Sequence, residues 1–183
     1  MKNNSVKRLV VIALIAAMYT ALTLALGAFS FGSVQMRVGE ALTLLPVYSP
    51  VAIWGVTLGC ALSNIVGVFT GTNILGILDV VFGTIATFLA AICSYQLRNI
   101  RFFGLPVLSS LPPVLLNALI IGGELTFLIA GGFELKIFLI QALSVGLGQV
   151  LSCCILGLLM VSALDRTGVS GRLFREVNLG SIH

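Results

Sequence analysis

Long apolar runs dominate the chain, rather than strand-like alternation or a single helical stripe. Four are plain, at residues 9–28, 74–96, 112–130 and 137–164. Each is long enough to cross a bilayer as a helix, which takes about 20 residues. The first exceeds a usual signal-peptide core and lacks a clear cleavage signature, so it reads as a retained span. A further apolar stretch, 38–69, is broken by Pro46 and Pro50.

Charge decides whether that stretch crosses once or twice. The basic residues Lys2, Lys7, Arg8, Arg98, Arg101, Arg166, Arg172 and Arg175 flank the runs, as cytoplasmic loop residues do in membrane proteins. With the N-terminus cytoplasmic, one crossing leaves Arg98 and Arg101 outside. Two crossings, turning near Tyr48-Ser49-Pro50, put all these groups inside. The expected fold is therefore an all-α membrane protein of six transmembrane helices, with both termini cytoplasmic. The second helix is short: Gly39 to Pro46 spans only ~12 Å at about 1.5 Å per residue. Turns are expected outside at 71–73 and 131–132. Ser109-Ser110 offers an N-cap to the fifth helix, with Pro112 early in it. This gives one six-helix domain over residues 1–165 and a polar cytoplasmic tail, 166–183.

Composition narrows the function. Of 183 residues, 58% are apolar and 9% charged, against about a quarter charged in soluble domains. Mean hydropathy is +1.15. Disorder is excluded and a soluble globule does not fit. The net charge of +4 comes from span-flanking residues, not a basic patch, so nucleic acid is not an expected partner. Cys60, Cys93, Cys153 and Cys154 lie within apolar runs without a CxxC, and read as packing residues. No P-loop motif occurs, the sole histidine is His183, and no metal-ligand or Ser/His/Asp pattern is present. An enzyme is not expected, nor a metal or a cofactor in this chain.

Ionisable groups inside spans are functional hypotheses by default. On the six-helix topology they gather at one depth. Glu40 ends the second helix, Asn64 lies in the outer part of the third, and Asp79 is near the outer end of the fourth. Glu124 is in the outer half of the fifth, with Asn117 two turns below it on the same face. Gln141 is about a turn into the sixth. These residues outline a cup that opens outward over an apolar floor. Plainer readings stand beside this one. Asn64, Asn117 and Gln141 could be helix–helix hydrogen bonds, and Arg37 could pair with Glu40 three residues on. Asp79 and Glu124 have no Lys or Arg at their depth, which leaves them for a ligand. Three carboxylates with amides suit a small molecule carrying an amine and paired ring N–H groups. Phe29, Phe31, Tyr48, Phe69 and Phe127 could stack on its ring or anchor the chain at the membrane surface. On the first helix Ala13, Ala17, Ala21 and Ala25 recur every four residues, a spacing that lets another helix approach closely, from this chain or another. Gly55 and Gly59 repeat the spacing.

Particular strings carry a resemblance. QMRVGEALTLLP at 35–46 resembles the RxxEALTxLP signature of the QueT-like family, and NILGILDVVFGTIATFLAA at 73–91 resembles that family's fourth helix, with Asp79 in the place of its Asp. The likeness extends over about residues 7–165. It implies an S-component, the substrate-binding membrane subunit of an energy-coupling-factor (ECF) transporter in a bacterial cell membrane. The implied substrate is a queuosine precursor, a 7-deazaguanine such as queuine or its aminomethyl precursor, bound from outside without ATP. The implied partners are a transmembrane coupling subunit and two ATPase subunits that use the ATP. Release would follow toppling of the chain in the membrane. Ala13, Ala17 and Ala21 match the family's docking motif. Arg37, Glu40, Asn64, Asp79, Asn117, Glu124 and Gln141 are the expected site. An S-component for another vitamin, a stand-alone secondary transporter and a structural membrane subunit remain alternatives.

Overall fold

A backbone in hydrocarbon has no partner but itself, so apolar runs fold as helices. The computed structural model describes residues 2–31 and 35–178. Its elements are α1 (Lys2–Ala25), the single turn α2 (Gly27–Ser30), a 3-10 helix (Val38–Val47), α3 (Val51–Phe69) and α4 (Ile77–Gln96). A 3-10 turn (Val107–Ser110) leads into α5 (Leu111–Ala130). Then α6 (Leu135–Gln149), a π-helical segment (Val150–Gly157) and α7 (Leu158–Thr167) run on without a break, and α8 (Val169–Asn178) follows. Among the described residues, five helical stretches are long and apolar enough to cross a membrane: Ser5–Ala25, Val51–Phe69, Ile77–Gln96, Val107–Ala130 and Leu135–Thr167. This is a multi-pass membrane protein.

The break at Pro46 and Pro50 sits where the pattern placed it, but the helix before it is not α-helical. Val38–Val47 is 3-10 throughout, far longer than the usual three or four residues of that form. At about 2.0 Å per residue the stretch Gly39 to Pro46 reaches ~16 Å, against ~12 Å for an α-helix, and all ten residues reach ~20 Å. Residues Gly39 to Val47 are buried. The π-helical segment lies against them: a Cβ added at Gly157 would meet the Ala41 carbonyl oxygen at 3.3 Å. At the far end of the 3-10 helix the Tyr48 hydroxyl donates to the Val161 carbonyl at 3.1 Å and to Asp165 Oδ1 at 2.8 Å. Burial and the Asp165 carboxylate push the Tyr48 phenol above its ordinary range, so it stays a donor.

The glycine spacing of α3, not the alanine ladder of α1, makes the tight seam within the chain. A Cβ at Gly55 would lie 2.8 Å from Ile15 Cβ, and one at Gly59 would lie 2.6 Å from Tyr19 Cβ. Ile15, Ala16 and Tyr19 are buried on this side of α1, while Ala13, Ala17, Ala21 and Ala25 are exposed on its other side. Packing of the ladder inside the chain is therefore excluded.

One local expectation is corrected. Ser110 precedes α5, yet its side chain makes no cap; its hydroxyl donates back to the Val107 carbonyl at 2.7 Å. Pro112 does lie in the first turn, beside Pro113. The expected polar tail is helical from Val169 to Asn178. Phe174 is buried there and stacks on Tyr48, with ring centroids 5.8 Å apart. Residues 179–183, His183 among them, lie outside the described residues. Gly131 ends α5 at φ 66°, a left-handed turn that glycine adopts without strain.

Candidate ligand-binding site

The ends of α1 and α3 and the starts of the 3-10 helix and α4 meet at one end of the bundle. Here the structure brings four of the expected residues, Arg37, Glu40, Asn64 and Asp79, into one buried region. Arg37 Nη2 lies 2.5 Å from Asp79 Oδ2, with both side chains essentially out of solvent. Its Nε donates to the Ser30 carbonyl at 3.4 Å, and its guanidinium lies 5.4 Å from the centre of the Phe31 ring. Asp79 Oδ2 also accepts from Asn73 Nδ2 at 2.8 Å. Asn64 Nδ2 donates to the Asp79 backbone carbonyl at 2.7 Å. Space for this comes from Gly83, where a Cβ would lie 2.6 Å from Asp79 Oδ1 and 2.8 Å from Asn64 Nδ2.

Arg37 thus pairs with Asp79, 42 positions away, and its side chain does not pair with Glu40. The unpaired Asp79 expected from sequence is corrected accordingly. The backbone supplies the reason. Arg37 precedes the 3-10 helix in an extended conformation, φ −86° and ψ 100°, so the i, i+3 alignment of that helix does not reach it. Glu40 finds neutral partners instead. Its Oε1 accepts from the Tyr19 hydroxyl at 2.6 Å and from the Thr87 hydroxyl at 3.1 Å. Its backbone carbonyl accepts from the Thr43 hydroxyl at 2.6 Å and the Cys153 thiol at 3.4 Å.

Glu124 is arranged differently. It is only 8% exposed, and neither carboxylate oxygen meets a donor among the described residues. It faces an open groove of about 770 Å³ between α4 and α5, lined also by buried Leu75 and by Leu78, Phe82, Ile85 and Phe127, which are exposed on the outer face of these helices. The two regions connect through Asn73, whose Oδ1 accepts the backbone N–H of the cavity residue Leu75 at 3.0 Å. One region is a buried polar network built on the Arg37–Asp79 ion pair, in which Asp79 Oδ1, Glu40 Oε2 and Asn64 Oδ1 meet no donor among the described residues; the other is an apolar groove whose one carboxylate has neither oxygen partnered.

Asn117 and Gln141 are not among the residues lining this cavity. Asn117 is buried and donates to the Pro113 carbonyl of its own helix at 3.0 Å. Gln141 is half-buried on α6. Of the aromatics, Phe127 lines the cavity, Phe31 packs against Arg37, Tyr48 lies at the opposite end, and Phe69 is 87% exposed. The side chain of Phe29 lies outside those described. Sequence reasoning passed over Tyr19, Asn73, Thr87 and Phe82. Tyr19 carried a signal, since a phenol within an apolar span needs a partner for its hydroxyl. Asn73 falls in an expected turn, and nothing in the pattern marks its contact with Asp79.

A multi-pass helical bundle with a buried polar network beside an apolar groove, as the described residues form, is in keeping with a membrane transport protein. The family model described as the QueT transporter matches residues 9–166, and the chain belongs to that family, which is one of transporters and not of enzymes. It is similar to the queuosine precursor transporter QueT of Lactococcus lactis subsp. cremoris (strain MG1363), with 36% identity over 77 residues. That match covers 41% of this chain and 45% of the relative, so it spans less than half of either. No solved structure matches the chain.

Proposed function

We propose that this chain is the substrate-capturing S-component of an ECF-type importer for a queuosine precursor, a 7-deazaguanine such as queuine or its aminomethyl precursor. The observation that carries the reading is Glu124, a buried carboxylate without a protein donor in the wall of a cavity. A carboxylate accepts two parallel N–H groups well, and a guanine-type edge offers such a pair. Phe82 and Phe127 supply apolar faces for a flat ring. The cavity volume falls in the usual range for small-ligand sites, roughly 300–1,000 Å³ and mostly apolar with few polar groups. In this reading Glu124 meets the ligand, while Arg37, Asn64 and Asp79 hold the wall of the site and Glu40 ties the 3-10 helix to α1 and α4.

The remaining parts of the proposal follow from charge and exposure. The 3-10 helix is the second of six crossings, and both termini are cytoplasmic. The basic loop residue Arg101 lies at the same end as Asp165, 3.3 Å away, in keeping with that parity. The exposed alanine face of α1 docks on a transmembrane coupling subunit, and two partner ATPases use the ATP. The direct test is native mass spectrometry of the purified chain against a panel of deazapurines and vitamins. The proposal expects a deazaguanine adduct without ATP. An adduct with a different vitamin would overturn the substrate. Uptake into vesicles without any ATPase would overturn the coupled mechanism.

A further inference from the structure

The loop between α4 and α5 ends in a turn that its residues disfavour. Phe103 and Gly104 both have positive φ, 50° and 81°, as the two central residues of a type I′ hairpin turn do. Glycine accepts this conformation, but asparagine or aspartate is the usual residue ahead of it, and a bulky side chain there is strained. The turn is nevertheless closely held. Phe102 and Leu105 exchange backbone hydrogen bonds at 2.9 and 3.0 Å. Arg101 Nη1 donates to the Gly104 carbonyl at 3.1 Å and reaches Asp165 Oδ2 at 3.3 Å. What this strained turn presents is a fully exposed phenyl ring, Phe103, beside the half-exposed Phe102. The backbone strain is the same in any medium, but a bare phenyl ring is unfavourable in water, so the arrangement favours a medium that takes up the ring.

The geometry points to the phospholipid interface: the Phe102–Phe103 tip inserts at the boundary of headgroups and acyl chains. Three observations choose lipid over a protein pocket. First, the tip continues a lipid-facing stripe. Leu119, Leu115, Leu111 and Val107 are exposed at every fourth position of α5 and the turn before it, leading to the hairpin. Second, the tip stays at the level of the span ends. Ser94 Oγ near the end of α4 donates to the Ser109 carbonyl at the start of α5 at 2.7 Å, and Arg101 is tied to the end of α7. Third, Arg98 and Arg101 lie just before the apolar tip, at the level where cations meet anionic headgroups. The guanidinium of Arg98 lies 3.9 Å from the centre of the Tyr95 ring, an arginine–aromatic pair of the kind found at membrane surfaces.

The test uses the full chain in nanodiscs of phosphatidylcholine and phosphatidylglycerol, which leave both membrane faces open. Trp54, the sole tryptophan, is replaced by Phe, and Phe103→Trp supplies the reporter. Blue-shifted emission, strong quenching by phospholipid brominated near the glycerol end, and weak quenching by aqueous iodide are expected. Strong iodide quenching without lipid quenching would overturn the proposal. So would shielding that appears only when coupling and ATPase subunits are added, which would make the tip a protein-docking knob. If Phe103→Trp unfolds the chain, as judged by circular dichroism, a Phe102→Trp reporter serves instead. Adding Phe103→Asn, which suits the turn but cannot insert, should then remove most of its lipid quenching; unchanged quenching would also overturn the proposal.

Discussion

Asp79 on α4 and Glu124 on α5 are carboxylates on adjacent helices, both shielded from water, yet they have opposite surroundings. Asp79 receives Arg37 and Asn73, both on Oδ2, while its Oδ1 meets no donor among the described residues. Glu124 receives no donor among the described residues and borders a cavity. A carboxylate that the protein pairs with its own arginine holds elements together: here the segment before the 3-10 helix, the α3–α4 turn and the start of α4. A buried carboxylate without donors is a cost to the fold, and its place on a cavity makes a ligand the partner that offsets it. The contrast separates scaffold from contact more sharply than burial or charge does.

The largest expected effect strikes the scaffold side. Arg37→Met strands Asp79 as a buried, uncompensated charge and should destabilise the chain by about 3–5 kcal/mol. A large fall in melting temperature in detergent would register it. The double change Arg37→Met with Asp79→Leu should recover much of that loss, because a well-packed apolar pair often replaces a buried ion pair without penalty. If the double variant is as unstable as the single, the pair is not what sets the cost.

On the cavity side the effect should fall on binding. Glu124→Gln removes the charged acceptor of a ligand N–H pair, worth about 1.5–3 kcal/mol, or roughly ten- to a hundredfold in affinity. Its melting temperature without ligand should hold or rise. A smaller change is expected of Tyr19→Phe. It takes one of two hydroxyl donors from Glu40 and should cost about 1 kcal/mol of stability, seen as a modest shift in melting temperature with ligand affinity kept. Smallest for the isolated chain is Ala17→Leu, on the exposed face of α1. Its stability should change by less than about 0.5 kcal/mol, while uptake with the coupling subunit present should drop sharply. Normal uptake would mean that the alanine face meets only lipid.

Much of this architecture was legible because the membrane demands it. The apolar runs marked the five long helical stretches, and Pro46 and Pro50 marked the break between the 3-10 helix and α3. Asp79 and Glu124 stood out alike, because no cation lies at their depth in the helical pattern, and only the fold shows that Arg37 reaches Asp79. Other features had no local signature. The 3-10 and π-helical segments differ in hydrogen-bond register, not composition, so Val38–Val47 and Val150–Gly157 read like any apolar helix. The Arg37–Asp79 pair joins residues 42 positions apart through an extended residue that helical spacing does not describe. Asn117 shares the face pattern of Glu124, yet its amide is satisfied by its own helix. The C-terminal helix is a different case. Val169, Leu173 and Val177 repeat every four residues beside Phe174, a stripe that polar composition masked.

Glu124, and not the Asp79 network, is the group expected to meet the ligand. Titration calorimetry of the parent and Glu124→Gln with the aminomethyl deazaguanine tests it most directly, with unliganded melting temperatures measured alongside. The account predicts a ten- to a hundredfold loss of affinity in a chain that is no less stable than the parent. Parent-level affinity in a fully folded Glu124→Gln chain would contradict it.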